Sequence, residues 1–338
     1  MSLFAITVFI SVSWCYATSL PAEPGVWLNG TSPSMSDFDV LAAYSLIDSY
    51  DASNWLSRFD IQDIADPTHG FVDYVNAAEA QQLGLMRSQD NQMYMGVDTW
   101  SYLATSDPGR KSVRVQSKTS YNKALIIADF AHVPASACGT WPAFWLVGRG
   151  WPSNGEFDIY EGVNVNTYNQ VTLHTSPDCS PNIGPGGENG YRINNIDCGA
   201  GGGYDGCGVV SYSSTSYGTS FNSNGGGVYA SLWTSSGILV WHFASWEVPA
   251  NIREGDPDPS TWGTPMANFG GGGCDFDAKF RDMSIVFDIA FCGDWAGGAW
   301  SDSTCAQKNP SCWDYVASNP QSFHHSYWLI NSIKIYSV

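Results

Sequence analysis

Short runs in which apolar and polar residues alternate recur along this chain, separated by loops of very different length. Alternation with a period of two is typical of strands that bury one face. We predict strands over residues 112–117, 124–130, 144–147, 156–161, 171–175, 228–233, 238–243, 284–291 and 327–336. The turn sequence at 234–237 predicts a hairpin. Many strands with few helical stretches favour an all-β jelly-roll sandwich of two antiparallel sheets.

The run 156–161 differs from the other predicted strands because it carries three carboxylates, Glu156, Asp158 and Glu161. Strict alternation puts the first two on one face and sends Glu161 to the other. A β-bulge that absorbs one extra residue near Ile159 or Tyr160 would bring all three together. The pattern leaves two interpretations open: a glycosidase site with an acidic helper, or a solvated strand with three surface acids.

Hydrolysis of a glycosidic bond needs one acid that protonates the leaving oxygen and one carboxylate on the opposite side of the sugar carbon. The order Glu156, Asp158, Glu161 suits this, because two long side chains can lean together above a shorter one. Two adjacent glutamates disfavour double ionisation, so one keeps its proton near neutral pH. These arguments do not decide which glutamate attacks.

Composition narrows the class of ligand. A net charge of −18 argues against nucleic acid and anionic membranes as partners, because phosphate binding relies on Lys and Arg. A neutral polysaccharide is not repelled. The 15 tryptophans, 17 tyrosines and 16 phenylalanines offer aromatic faces for stacking on sugars, although large core residues explain such a load equally well.

The amino terminus and the cysteines indicate the compartment. Residues 1–17 read as a cleaved signal peptide with a short apolar run, although no Lys or Arg stands near the start. Residues 18–41 are rich in Pro, Ser and Gly and predict a flexible leader, and 42–338 predict one catalytic β-sandwich domain. Without Cys15, eight cysteines remain, which predicts disulfides of unresolved connectivity in a secreted protein. Asn29 lies in the one clean glycosylation sequon.

Other kinds of site are disfavoured. The glycine runs at 199–203 and 270–273 lack the Lys-Ser/Thr of a phosphate loop, and no Gly-x-Ser-x-Gly elbow is present. The acid pairs at 256–258 and 275–277 have no calcium-hand spacing, so solvated loop acids are the favoured interpretation. We expect no metal and no cofactor, with a structural calcium ion kept as the alternative.

The sequence around the acids resembles a known family. Residues 141–145, Trp-Pro-Ala-Phe-Trp, and 151–162, Trp-Pro-Ser-Asn-Gly-Glu-Phe-Asp-Ile-Tyr-Glu-Gly, resemble the signature of glycoside hydrolase family 16. The spacing Glu-x-Asp-x-x-Glu is similar to its laminarinase branch, which has the bulge. Further likeness to fungal endo-1,3(4)-β-glucanases extends over about residues 42–338. The resemblance implies a concanavalin-like sandwich with a substrate cleft on its concave face.

Carried over to this sequence, the resemblance implies Glu156 as nucleophile, Glu161 as general acid/base and Asp158 as the helper beside the nucleophile. It also implies six substrate-binding residues: Trp145, Trp151 and Trp295 in the cleft, and Arg114, Asn164 and His174 as polar contacts.

Simpler roles compete with several of these. Trp145 lies in an apolar run and could be core, Arg114 could be a solvated strand residue, and His174 could be a satisfied lone histidine. Trp295, in a Gly-rich turn, is a poor core candidate.

The expected activity is a secreted endo-β-glucanase that cleaves 1,3-linked and some 1,4-linked β-glucans with retention. The alternatives are a transglycosylase with the same acids and a non-catalytic β-glucan-binding protein. Loss of one acid would be the usual sign of the latter, and here all three are present. We expect a monomer whose partner is the polysaccharide.

Overall fold

The computed structural model describes residues 44–338. The signal peptide, the leader, the sequon at Asn29 and the start of the domain at residue 42 lie outside the described residues, so they stay predictions.

Eighteen strands form within the described residues. They are β1 Leu46–Tyr50, β2 Phe59–Ile61, β3 Val72–Tyr74, β4 Met86–Gln89, β5 Gln92–Gly96, β6 Arg110–Ser112, β7 Arg114–Tyr121, β8 Ala124–His132, β9 Thr140–Gly148, β10 Glu156–Glu161, β11 Gln170–His174, β12 Tyr191–Asn194, β13 Cys207–Val210, β14 Gly227–Thr234, β15 Gly237–Ala244, β16 Ala267–Phe269, β17 Met283–Phe291 and β18 Tyr327–Tyr336.

The helices are short. They are α1 Trp55–Arg58, α2 Ala77–Gln82, α3 Gly218–Ser223, α4 Ala250–Glu254, α5 Phe276–Lys279 and α6 Cys312–Ser318. Single 3₁₀ turns lie at Ala200–Gly203, Pro259–Thr261, Thr304–Gln307 and Pro320–Phe323, and a π-helical turn at Gly293–Gly297. Among the described residues, no helix combines the length and the apolar character that crossing a bilayer requires.

Two large antiparallel sheets make up the molecule. The first runs β16-β15-β14-β8-β18-β5-β4, with β1 also paired to β18, and the second runs β12-β13-β11-β10-β9-β17-β7-β2. A separate parallel pair joins β3 and β6. The predicted all-β sandwich is confirmed, and β10 lies near the middle of the second sheet.

Alternation along the strands builds the layer between the sheets. Phe144 on β9 and Phe287 on β17 stack at 4.5 Å between ring centroids, and Phe130 on β8 and Trp328 on β18 meet them from the first sheet. All four are buried. Burying such a side chain contributes about 1.5–3 kcal/mol. Because these residues point inward, their neighbours on β9 and β17 point to the opposite, solvent-facing side of the second sheet.

Each of the nine predicted strands falls on an observed one, and 156–161 and 327–336 match in full. The predicted hairpin is also confirmed, with Thr234 opposite Gly237. The run predicted as one strand over 112–117 overlaps two strands, β6 and β7, so the prediction of a single strand there is wrong. The chain divides at Val113 because β6 pairs with β3, whereas β7 pairs with β17 and β2.

Four disulfides join the eight predicted cysteines: Cys138–Cys305, Cys179–Cys274, Cys198–Cys207 and Cys292–Cys312. The long Gly-rich segments between the predicted strands contain short elements, β12 within residues 182–206 and β16 within residues 251–273.

Candidate active site

The register of β10 against its neighbours contains the predicted β-bulge. Against β11, Asp158 lies opposite Thr172 and Glu161 lies opposite Gln170, so three steps on β10 match two on β11. Against β9, the register shifts between Asp158 and Tyr160. One extra residue is therefore accommodated between the helper and the second glutamate.

The bulge turns two consecutive side chains inward. Ile159 and Tyr160 are both fully buried in the core, as is Phe157. Tyr160 stacks on Tyr217 at 4.8 Å, and its hydroxyl accepts a hydrogen bond from the backbone N–H of Gly218 at 3.1 Å. With both residues anchored in the core, Glu161 returns to the solvent-facing side that Asp158 occupies.

The side-chain amide of Asn169 lies against the bulge. Its Oδ1 accepts from the backbone N–H of Glu161 at 2.9 Å, and its Nδ2 donates to the carbonyl of Ile159 at 2.8 Å. The sequence did not reveal this residue, because no local pattern distinguishes an asparagine before a strand from an ordinary turn residue.

A cleft of about 1020 Å³ covers the three acids on the solvent-facing side of the second sheet. This volume is at the upper end of the ~300–1,000 Å³ usual for small-molecule sites, so an oligosaccharide segment fits better than a single sugar. Five of the six predicted substrate-binding residues line it: Arg114, Trp145, Trp151, His174 and Trp295.

Asn164 is not among the residues that line the cleft. Its Oδ1 accepts from the N–H of Gly139 at 2.8 Å and its Nδ2 donates to the carbonyl of Ala296 at 2.9 Å. Because the buried amide is used by backbone groups, Asn164 supports the turn that carries Trp295, in place of the direct sugar contact that the family resemblance implied.

Arg114, Asp288 and Trp145 form a bonded group on the cleft floor. The Arg114 guanidinium donates to Asp288 Oδ2 at 2.9 Å and lies over the Trp145 ring at 4.8 Å, while Trp145 Nε1 donates to Asp288 at 3.3 Å. Burial raises the pKa of Asp288 to about 7, although Arg114 opposes the shift. Trp145 therefore lines the cleft, and Arg114 is buried and paired with Asp288.

His174 lies between the acids and a neighbouring loop. Its Nδ1 donates to the carbonyl of Gly203 at 2.7 Å, and its Nε2 lies 3.3 Å from Asp158 Oδ2. Burial acts to lower its pKa, but the contact with Asp158 and the charge of Glu156 prevail and raise it to about 10. The neighbouring acids therefore favour the protonated form of His174.

The disulfide Cys198–Cys207 closes this loop against the site. Gly203 has a positive φ of 99°, and a Cβ there would come within 2.7 Å of Pro152. Only glycine therefore lets the carbonyl of residue 203 reach His174 without displacing the segment beside Trp151.

Burial shifts the pKa values of Glu156 and Glu161 in the same direction. Burial, followed by the charge of Asp158, raises the pKa of Glu156 to about 8, while His174 and Arg114 oppose the shift. The same two causes raise the pKa of Glu161 well above its usual value, opposed by a hydrogen bond from Trp141 Nε1 to Glu161 Oε1 at 2.7 Å. The cleft thus retains protons on carboxyl groups at neutral pH.

Two aromatic residues that line the cleft were missed by the sequence analysis. Trp141 packs edge-on against Trp295 at 5.6 Å, and Tyr204 packs edge-on against Trp151 at 4.9 Å. Period-two spacing from Trp145 to residue 141 could have identified the first. Nothing in the Gly-rich loop indicates the second.

Metal binding has limited support. Ligand atoms of Glu156, Asp158 and His174 lie within 4.8 Å of one another. A ligating histidine must be neutral, and the raised pKa of His174 opposes this. In the two loop acid pairs, Asp258 and Asp275 cap helical turns, and Asp277 pairs with Lys123 at 2.9 Å.

Comparison with known proteins identifies the family. A model described as the XgeA-like, catalytic GH16 domain matches residues 59–336. The chain belongs to glycoside hydrolase family 16. A probable endo-1,3(4)-beta-glucanase of Neosartorya fischeri is 44% identical over 299 residues, covering 87% of this chain and 45% of that protein. The chain thus spans less than half the length of this family-16 relative.

Solved structures of the family agree in fold. An elongating family-16 β-1,3-glucosyltransferase superposes with a TM-score of 0.81 at 41% identity, covering 87% of this chain and 100% of that one. Laminarinase 16A from Phanerochaete chrysosporium gives 0.79 at 40% identity, covering 87% and 99%, with 6-O-glucosyl-laminaritriose in its donor and acceptor sites.

Proposed function

We propose that this chain is a retaining endo-β-glucanase that hydrolyses 1,3-linked, and some 1,4-linked, β-glucosidic bonds. The observation that carries the proposal is the convergence of Glu156, Asp158 and Glu161 on one side of a bulged strand, inside a cleft lined by tryptophans. The β-glucans bound by Laminarinase 16A support the substrate class.

The proposed reaction has two steps. Glu156 attacks the anomeric carbon while Glu161 donates its proton to the departing glycosidic oxygen, which leaves a glycosyl ester on Glu156. Water then attacks the same carbon as Glu161 takes a proton from it, and the ester bond to Glu156 breaks. The buried, protonated Glu161 suits the first step, and the loss of the Glu156 charge in the ester lowers the pKa of Glu161 for the second.

In this proposal His174 prepares the nucleophile, and Asp158 is the acid beside which His174 is held. The positive His174, 3.3 Å from Asp158 and adjacent to Glu156, favours ionisation of the attacking carboxylate, and Arg114 acts in the same direction. The mechanism uses only side chains of this chain, so we propose that it needs no cofactor.

The site offers further contacts for a glucan. Trp151 and Trp295, each joined by a second aromatic ring, stand at different places along the cleft and can stack on sugar faces.

Secretion is part of the proposal. Four disulfides form among the described residues, and such bonds persist in oxidising compartments. We also propose that the protein acts as a monomer on polysaccharide and does not bind nucleic acid or membranes.

Digestion of laminarin, lichenan and a linear 1,3-glucan side by side tests the proposal. Glu156→Gln and Glu161→Gln should each remove nearly all activity and leave the protein folded with a cooperative thermal transition, whereas Glu254→Gln, at an exposed position of helix α4, should behave as wild type. Full activity in either cleft variant would refute the assignment. NMR of the first anomeric signals should show retention, which requires carboxyl groups about 5–5.5 Å apart; an inverted product would overturn that part.

Transglycosylation is the second candidate, favoured by the likeness to the elongating glucosyltransferase. The ester on Glu156 would then pass to a sugar hydroxyl in place of water. Predominantly longer products at high oligosaccharide concentration would support it.

A further inference from the structure

The bulge in β10 creates two backbone groups that the neighbouring strand cannot pair. Glu161 lies opposite Gln170 and Asp158 opposite Thr172, so the peptide groups around Tyr160 fall out of the regular ladder with β11. A buried backbone donor or acceptor left unpaired costs about 1–3 kcal/mol. A strand in this position would tend to relax by moving the extra residue elsewhere.

The amide of Asn169 pairs both groups at once. It accepts from the N–H of Glu161 at 2.9 Å and donates to the carbonyl of Ile159 at 2.8 Å, so it spans the two backbone groups on either side of Tyr160. Both contacts need one acceptor and one donor at the end of a short side chain, and only an amide supplies them permanently.

Asn169 is itself fixed. It is fully buried, its N–H donates to Ser216 Oγ at 3.0 Å, and its carbonyl accepts from the N–H of Ser211 at 2.9 Å. Ser216 is buried too, and its carbonyl accepts from the hydroxyl of Tyr229 on β14 in the first sheet. The backbone of Asn169 is therefore tied through Ser216 to Tyr229 of the opposite sheet, so the residue does not shift freely with β10.

We propose that Asn169 is a positioning residue that holds the backbone of Glu161 at the bulge and thereby sets the reach of the general acid/base. The inference rests on the proposed function. Only the backbone N–H of Glu161 is bound by Asn169, while its carboxylate is bound by Trp141, so Asn169 acts through the strand and not on the proton itself.

A displaced acid/base should have a specific kinetic signature. Cleavage of a glucan needs protonation of a poor leaving group, whereas a β-laminaribiosyl fluoride releases fluoride with little proton assistance. In Asn169→Ala we expect kcat on laminarin oligosaccharides to fall about 100-fold with KM within about twofold, as loss of general acid catalysis implies. The activity ratio of fluoride to oligosaccharide should rise at least about tenfold.

Azide tests the second step. It attacks the anomeric carbon of the glycosyl ester without a general base, breaks the bond to Glu156 and forms a β-glycosyl azide. Added azide should accelerate fluoride turnover by Asn169→Ala and give this product, whereas wild type should yield the hydrolysis product alone. Glu161→Gln serves as the positive reference.

Asn222→Ala is the matched control. Asn222 accepts from the N–H of Val133 at 2.9 Å and donates to its carbonyl at 2.8 Å, the same pairing at a place outside the cleft. It should lower the melting temperature and leave both the substrate ratio and the azide response unchanged.

Asn169→Asp decides the matter if Asn169→Ala does not fold. Protonated aspartic acid both donates and accepts, whereas the ionised form only accepts. Activity of this variant relative to wild type should therefore rise as pH falls. An unchanged substrate ratio with no azide product in Asn169→Ala, or a pH-independent Asn169→Asp, would overturn the inference. Lack of azide rescue in Glu161→Gln would instead count against the proposed function.

Discussion

In the second sheet, strand β9 pairs with β17 on one side and with β10 on the other, and the acids of these two strands lie in different surroundings. On one side, β17 keeps an unbroken register from Met283 opposite Gly148 to Phe291 opposite Thr140. On the other, β10 shifts register between Asp158 and Tyr160. Both strands pack apolar side chains inward and both present acids to the cleft, so the bulge is the main difference between them.

The regular strand β17 supplies one acid to the cleft, and an arginine on the adjacent strand β7 pairs with it. Asp288 meets Arg114 at 2.9 Å. The bulged strand crowds three acids into six residues with His174 as the nearby cation. In this sheet, the acid on the regular strand has a buried cation as its partner, whereas the bulge brings a third acid to the side of the other two, where burial and the charge of Asp158 raise the pKa of both glutamates.

Asp158→Asn should have the largest effect of the changes that test this contrast. We expect kcat to fall by about 10²–10³-fold, because the charge beside the nucleophile and the partner of His174 are lost. The charge of Asp158 raises the pKa of both glutamates, so its removal should lower both and move the alkaline limb of the pH–rate profile to lower pH. Asp129→Asn on β8, another acid whose pKa burial raises, should leave that profile in place.

Asp288→Asn tests the regular strand β17, whose acid is paired with Arg114. It leaves the buried guanidinium of Arg114 without its counter-charge, and we expect a loss of about 3 kcal/mol in the free energy of unfolding. Activity at a temperature where the variant is folded should change by only a few-fold. Asp60→Asn, which removes an exposed partner of Lys118, should barely alter denaturant unfolding. Equal effects of the two variants would mean that the cleft floor is not an electrostatic unit.

Trp141→Phe tests the bulged strand β10, through the hydrogen bond to Glu161. It keeps a ring against Trp295 but removes the N–H that binds Glu161. Because this hydrogen bond lowers the pKa of Glu161, its loss should raise that pKa and shift the alkaline limb to higher pH, with a decrease in kcat of about tenfold or less. Trp241→Phe loses an N–H that donates to the Gly263 carbonyl and is the matched control. A shift in the opposite direction would contradict the role of Trp141.

The crowded acids should also make the stability of the folded protein depend on pH. This is the smallest of the expected effects. Glu156 has a pKa raised from 4.5 to about 8 and His174 from 6.5 to about 10, so the folded state binds more protons than the unfolded chain, on both groups between roughly pH 6.5 and 8 and on His174 up to about pH 10. Stability is therefore present below this window and decreases as pH rises through it. The buried His132 and His242, with pKa values lowered to about 4, act in the opposite sense only below about pH 6.5. Melting temperature measured from pH 6.5 to 9 should fall by several degrees, and less in Glu156→Gln.

Local pattern was enough to locate the strand that carries the three acids. The bounds of 156–161 and the bulge followed from alternation and from the need to bring Glu161 to the face of Asp158. Strands such as β2, β3 and β16 were missed because three residues are too few to show a period. Asn169 and Tyr204 were missed for another reason: each acts on a partner brought close by the fold, Asn169 on β10 and Tyr204 on Trp151. Connectivity of the cysteines depends on the same long-range geometry.

Two of the cross-links differ greatly in how far apart their cysteines lie along the chain. Cys198 and Cys207, beside Tyr204, are separated by 9 residues, whereas Cys138 and Cys305, on the side of Trp295, are separated by 167. During synthesis from the amino terminus, the first pair can join while most of the carboxyl-terminal third has not yet been made. The second must wait for residue 305. The loop that carries Tyr204 can thus be cross-linked well before the disulfide of Cys305 forms, and a chain interrupted in between would carry all three acids without that second cross-link.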